Sequence, residues 1–214
     1  MADKEILIFV EGPSDKVFLE VYLYFLEDFP IKNFKVKDVK GKDNLSKRLL
    51  EIEKYDKTLI IFDANKDYES NKKEILTVVS KRKQTISEEQ IFLFPNNQDD
   101  GDLETLLLKI AKHDEFLKCF EGYLECIKSK EYYKLIKNIR KNMLHAYLEA
   151  LGLENLTKTN IDIFDSKGKI KEKYQEEYEK LKEVVDFNSN SLIPLKDFLG
   201  QFAENKQKTN PKIF

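Results

Sequence analysis

Short, unbroken apolar runs alternate with amphipathic stretches along the first half of the chain. Ile6-Leu7-Ile8-Phe9-Val10 has no polar interruption, the pattern of a strand buried on both faces of a parallel sheet. Behind it, Val17, Phe18, Val21, Tyr22, Phe25 and Leu26 recur at helical spacing, predicting a helix from about Pro13 to Asp28 that Pro30 closes. Asn33–Val39 alternates Phe34 and Val36 with lysines and reads as a more exposed strand. A helix over Leu45–Tyr55 follows, then a second buried strand, Thr58–Phe62, a helix from about Glu69 to Lys83, and a further strand, Ile91–Phe94. Leu103, Leu106, Leu107 and Ile110 open another amphipathic helix. This order predicts an α/β fold, a mainly parallel, four-stranded, Rossmann-like sheet with right-handed crossovers and helices on both faces.

Beyond Lys112 the strand signal nearly vanishes. His113–Tyr133, Leu135–Leu151, Ile170–Val185 and Leu195–Ala203 read as helices, Thr159–Asp165 as a short strand or irregular link, and Lys206–Phe214 as a frayed tail. The expected organisation is a core over residues 1–112 and a helical extension over 113–214 packed on it. Composition supports a real core, with 41% hydrophobic residues including 15 Phe and 10 Tyr. The 36% charged fraction exceeds the roughly one quarter typical of globular chains and fits long solvated helices. A net charge of −2 leaves any basic footprint for nucleic acid to be a local one. Cys119 and Cys126 share one side of a predicted helix without His or Cys partners, which implies two buried free thiols rather than a disulfide framework or zinc site. No stretch approaches a membrane span and MADKE is no secretory n-region, so no membrane partner and a cytoplasmic location are expected.

The chemistry lies where strands stop. Glu11 follows the first strand directly, Asp63 follows the Thr58–Phe62 strand, and Asp99-Asp100-Gly101-Asp102-Leu103-Glu104 follows the Ile91–Phe94 strand. In a parallel sheet all three turns lie on the carboxyl edge, where open α/β sheets bind ligands. Crowded carboxylates repel and resist desolvation unless a cation neutralises them. An oxygen-only ligand set suits Mg²⁺ or Mn²⁺, which can polarise a phosphodiester and activate water. The plainer alternative is a set of ordinary polar turns, with Asp15 and Asp102 serving helix ends. That alternative suits Asp99 and Asp100 better than Glu11 and Asp63, which abut buried strands.

An apolar strand ending in Glu11-Gly12-Pro13-Ser14-Asp15, followed by an apolar strand ending in Asp63-Ala64-Asn65, resembles the Toprim domain. This metal-dependent module occurs in topoisomerases, primases, recombination-repair proteins and overcoming-lysogenization-defect nucleases. With Pro95–Leu108 (PNNQDDGDLETLLL) the chain also resembles a small bacterial family of single-Toprim proteins. The resemblance implies that Glu11 is a metal ligand or general acid/base and Asp63 the first acid of a D-x-D motif. It implies that Asp15 is the motif's aspartate and that Glu104 matches a further acid of the overcoming-lysogenization-defect type. Asn65 replaces the second D-x-D acid, keeping an oxygen ligand but losing a charge; Asp67 stands two residues on as a substitute.

The expected function is therefore a Mg²⁺- or Mn²⁺-dependent nuclease acting on DNA or RNA, with Glu11 and Asp63 catalytic and Glu11, Asp15, Asp63, Asn65, Asp67 and Glu104 around the metal. The helical half would shape the substrate groove or make a homodimer contact. The rival is a non-catalytic module with a degenerate metal site, binding nucleic acid or protein in a defence or repair assembly. A phosphate- or nucleotide-binding protein is a third reading, weakened because Glu11-Gly12-Pro13-Ser14 is neither G-x-G-x-x-G nor a P-loop. Lys40, Lys42, Lys66, Lys72 and Lys73 fall near the same edge as phosphate contacts or as a solvated face. His113 and His145 are candidate proton carriers or ordinary helix residues.

Overall fold

A computed structural model describes residues 6–26, 34–80, 86–132, 139–153 and 169–202. The first half follows the predicted alternation: β1 (Ile6–Val10), α1 (Pro13–Phe25), β2 (Phe34–Asp38), α2 (Leu45–Arg48), β3 (Lys57–Asp63), α3 (Tyr68–Val79), β4 (Ile91–Phe94) and α4 (Leu103–Lys109). The four strands form one all-parallel sheet in the order β2-β1-β3-β4. Because strand side chains alternate between faces, two cores arise from one set of residues. Ile8 and Val10 of β1, with Leu59, Ile61, Phe92 and Phe94, pack against α1 and α4. Leu7, Phe9, Ile60, Phe62, Ile91 and Leu93 pack against α2, its flanking turns and α3.

The helical half consists of α5 (Asp114–Lys128), α6 (Ile139–Ala150), α7 (Glu172–Val184) and α8 (Ile193–Gly200). It covers the α1 face of the sheet: Tyr147 and Leu148 of α6, Val184 of α7, and Leu195, Phe198 and Leu199 of α8 join the same cluster as Phe92 and Phe94. The Phe92 and Phe198 rings stand 5.3 Å apart. Backbone bonds from Lys112 N to the Val184 carbonyl (2.9 Å) and from Asp186 N to the Ile110 carbonyl (2.8 Å) tie the end of α4 to the end of α7. The buried Tyr147 hydroxyl donates to the same Val184 carbonyl at 2.7 Å. The two halves therefore share one core.

Some expectations need correction. The helix predicted over Leu45–Tyr55 is one α turn, α2, between 3₁₀ turns at Lys42–Asn44 and Leu49–Lys54. Leu45, Leu49 and Ile52 still bury while Leu50 faces solvent, and the spacing from Leu49 to Ile52 matches a three-residue turn. Cys119 and Cys126 are free but exposed rather than buried. They share one side of α5, as predicted, but the buried Leu124 lies on another side of that helix. The predicted helices ending at Asp28, Lys83 and Ala203, the one beginning at Leu135, the Thr159–Asp165 segment and the tail extend into, or lie within, positions outside the described residues. No described helix is long and apolar enough to cross a membrane.

Candidate functional site

Strand register sets the site. Val10 lies opposite Asp38 on one side and Ile61 on the other, and Asp63 lies opposite Phe94. The segments leaving the four parallel strands thus emerge on one edge of the sheet. Gly12 starts α1 with its N–H donated to Asp15 Oδ2 at 2.8 Å, which turns the Asp15 carboxylate back toward the end of β1. Asp63 is oriented from the other side, its Oδ1 accepting from the Leu103 N–H at the start of α4 (3.0 Å). Asp102 caps that helix by accepting from Thr105 N at 2.8 Å, and its first turn carries Glu104.

These placements bring Glu11, Asp15, Asp63 and Glu104 within reach of one another's fields. Burial, reinforced by the charges of Asp15 and Glu11, pushes the Asp63 carboxyl up to about 9, although its bond from Leu103 opposes the shift and Glu104 adds to it. Burial also raises Asp15 to about 7 against the stabilising Gly12 bond, with Glu104 and Glu11 acting in the same sense and Lys141 against it. Glu11 is raised as well, first by burial, while the Asp63 backbone and Lys42 offset part of the effect and Asp43 and Glu74 add to it. Its Oε2 is buried and has no hydrogen-bond partner. A carboxylate oxygen in that state costs free energy unless a proton or a cation satisfies it.

Asn65 and Asp67, expected around the metal, are otherwise engaged. Asn65 adopts a left-handed backbone (φ 56°) and pairs through its main chain with Gly101. Its exposed side-chain amide nitrogen donates to the Asp63 carbonyl at 3.4 Å. Asp67 caps α3, accepting from Ser70 N at 2.9 Å. Asp100 accepts from Tyr68 N at 2.7 Å and Asp99 from Asn96 at 2.8 Å, so both serve the turns. Among the lysines, Lys42 reaches Asn71 and Glu74 at 2.6 Å and acts on Glu11, whereas Lys72 pairs with Glu88 at 2.7 Å. Lys40, Lys66 and Lys73 are exposed. His113 Nδ1 sits 3.3 Å from Glu115, and His145 lines a cavity that also contains Glu104.

Sequence reasoning missed Lys141, Arg140 and Asp38. Lys141 of α6 acts on Asp15, and Arg140 reaches Asp102 Oδ2 at 3.3 Å. The helical half thus places cations beside the acids, through tertiary packing that no local signal reports. Asp38 ends β2 opposite Val10 and carries a buried Oδ1 without a hydrogen-bond partner. Its strand-end position is the signal that pointed to Glu11 and Asp63.

The donor chemistry fits a hard divalent cation: carboxylate oxygens only, crowded, half-buried, one of them unpartnered. Yet no three His, Cys, Asp or Glu side chains among the described residues are gathered closely enough to hold a metal ion as they stand. The four acids share an electrostatic site without converging on one point. Mutually repelling carboxylates lack a driving force to converge without a cation.

No curated protein matches the chain, and no solved structure does. A family model described as "Protein of unknown function (DUF3226)" matches residues 5–204, nearly its whole length, and the chain belongs to that family.

Proposed function

We propose that the protein is a Toprim-type, Mg²⁺- or Mn²⁺-dependent nuclease that hydrolyses phosphodiester bonds in DNA or RNA. The observation that carries this reading is the placement of Glu11, Asp15, Asp63 and Glu104 along the carboxyl edge of a parallel sheet, within range of one another's charge, with the Asp63 and Asp15 carboxyls raised by burial first and by the neighbouring acids. The cation would be held by carboxylates from this set, and when bound it supplies polarisation of the scissile phosphate and of a water. Glu11 Oε2, which has no hydrogen-bond partner, would be the acceptor for a proton from an attacking water. Lys141 on α6, whose charge acts on Asp15, would offer positive charge to a substrate phosphate.

The test is cleavage of single-stranded, nicked and duplex DNA and of RNA by purified protein with Mg²⁺ or Mn²⁺, and its arrest by EDTA. Glu11→Gln removes a charge with almost no change of volume. It should lower the cleavage rate on the order of 10²-fold or more, the scale of a lost general base, while leaving the melting profile cooperative. Undiminished cleavage by Glu11→Gln assigns the activity elsewhere. A second reading, a binding module with a degenerate metal site, draws on the failure of three ligands to gather and on the outward amide of Asn65. It predicts nucleic-acid or protein binding without metal-dependent cleavage of any of these substrates.

A further inference from the structure

A cavity of about 90 Å³ opens against the acid cluster. Glu104 belongs to both, and Ser14 and Leu103 of the cavity wall adjoin the other acids. Ser14 adjoins Asp15, the Leu103 N–H bonds Asp63, and Glu104 acts on both aspartates. The rest of the wall is mainly apolar, with Val17 and Phe18 from α1 and Leu144 and Leu148 from α6, and its polar groups are Ser14, Glu104, His145 and Tyr178. Apolar walls with a few convergent polar groups are the usual composition of a small-ligand site.

We propose that this cavity receives one unstacked nucleobase, preferably one with an exocyclic amino group, from a single-stranded nucleic acid whose phosphodiester lies at the acid cluster. The inference rests on the phosphodiester reading of that cluster. Three features select the occupant. The volume holds several water molecules, the space of one planar ring rather than of a larger ligand. The apolar wall, with the Phe18 ring in it, suits the face of a base, and aromatic contact of this kind is tolerant of sequence. Glu104 is an acceptor with no N–H to donate, so it favours an amino-bearing edge such as cytosine N4 over the carbonyl edge of thymine. A base in duplex is held in its stack and must be extruded to enter such a pocket, whereas an unpaired base pays far less. Lys141 lies on the same helix as Leu144 and His145, beside Asp15, where the phosphate attached to an inserted base would pass.

The experiment measures binding of fluorescein-labelled deoxycytidine pentanucleotide to the full chain in Ca²⁺ by anisotropy. The comparisons are the same strand with a central abasic site, a thymidine pentanucleotide and a blunt duplex, each tested also on Val17→Phe and Leu144→Phe. Thermal melting with and without Mn²⁺ monitors folding and the acid cluster separately. The expected result is at least tenfold weaker binding of the abasic strand and the duplex, and weaker binding of the thymidine strand. In the filled variants the intact strand should fall to the abasic level while the Mn²⁺ shift persists. A retained Mn²⁺ shift with equal binding of intact and abasic strands overturns the pocket and leaves the cluster reading standing. Absence of both the Mn²⁺ shift and any oligonucleotide binding overturns the two together. Loss of cooperative melting in one filled variant leaves the other to decide.

Discussion

At the scale of single residues, the raised carboxyls of Asp63 and Asp15 give the protein an expected pH dependence. An isolated aspartate titrates near 3.8, and in the fold these two are raised to about 9 and about 7. The folded chain therefore binds both protons more tightly than the unfolded chain does. The stability this linkage contributes is complete below about pH 4 and is lost as pH rises through about 7 and then about 9. Metal-free protein should thus melt at progressively lower temperature from pH 5 to pH 9, and Asp63→Asn should flatten that decline. Melting scans in EDTA across this range measure it; a decline equally steep in Asp63→Asn places its origin elsewhere. At the proposed site a divalent cation would compete with the same protons, so Mg²⁺ should raise the melting temperature more at pH 8 than at pH 6. Glu11 and Asp63 were legible in the sequence because each directly ends an apolar run. The placement of Asn65 and Asp67 was not, because it depends on a left-handed turn and a helix cap that residue types alone do not specify.

At the scale of elements, the turn between β4 and α4 aligns the site. Gly101 has φ 147°, and its backbone pairs with Asn65, joining this turn to the one after β3. A Cβ at Gly101 would meet Pro95 Cδ at 3.0 Å and Thr105 Oγ1 at 3.1 Å, so the position excludes larger residues by both conformation and space. Gly101→Ala should cost about 1–3 kcal/mol, the usual range for a strained backbone position, read as a lower urea midpoint at unchanged slope. Because the same turn presents Leu103 N–H to Asp63 and carries Glu104, the substitution should also weaken Mn²⁺ binding. A stability equal to wild type would show that the turn accommodates a side chain. The strands and the alternation of elements were legible because buried parallel strands read as continuous apolar runs. The form of Leu45–Tyr55 is not legible, since its apolar spacing fits an α turn and a 3₁₀ turn almost equally well.

At the scale of the whole molecule, the helical half completes the core and brings α6 to the acids. Phe198 of α8 is buried against Phe92, and Tyr147 of α6 closes on Val184. Phe198→Ala should cost about 3–5 kcal/mol, as for other large-to-small core changes, and unfolding should stay a single transition across both halves. A chain ending at Lys112 should lack cooperative unfolding, because it leaves the Phe92 and Phe94 face uncovered; a sharp transition in that fragment would contradict the shared core. That the second half is helical could be read from its periodicity, but which sheet face it covers, and that Lys141 and His145 end beside Asp15 and Glu104, depend on contacts distant in sequence. The central claim, that these carboxylates form a divalent-cation centre, is tested most directly by anomalous diffraction from crystals grown with Mn²⁺. The account predicts one strong peak bounded by the carboxylates of Glu11 and Asp63 and by Asp15 or Glu104, absent from crystals of Asp63→Asn. Crystals in which Mn²⁺ sits elsewhere, or nowhere, while the four acids keep their present separation would contradict it.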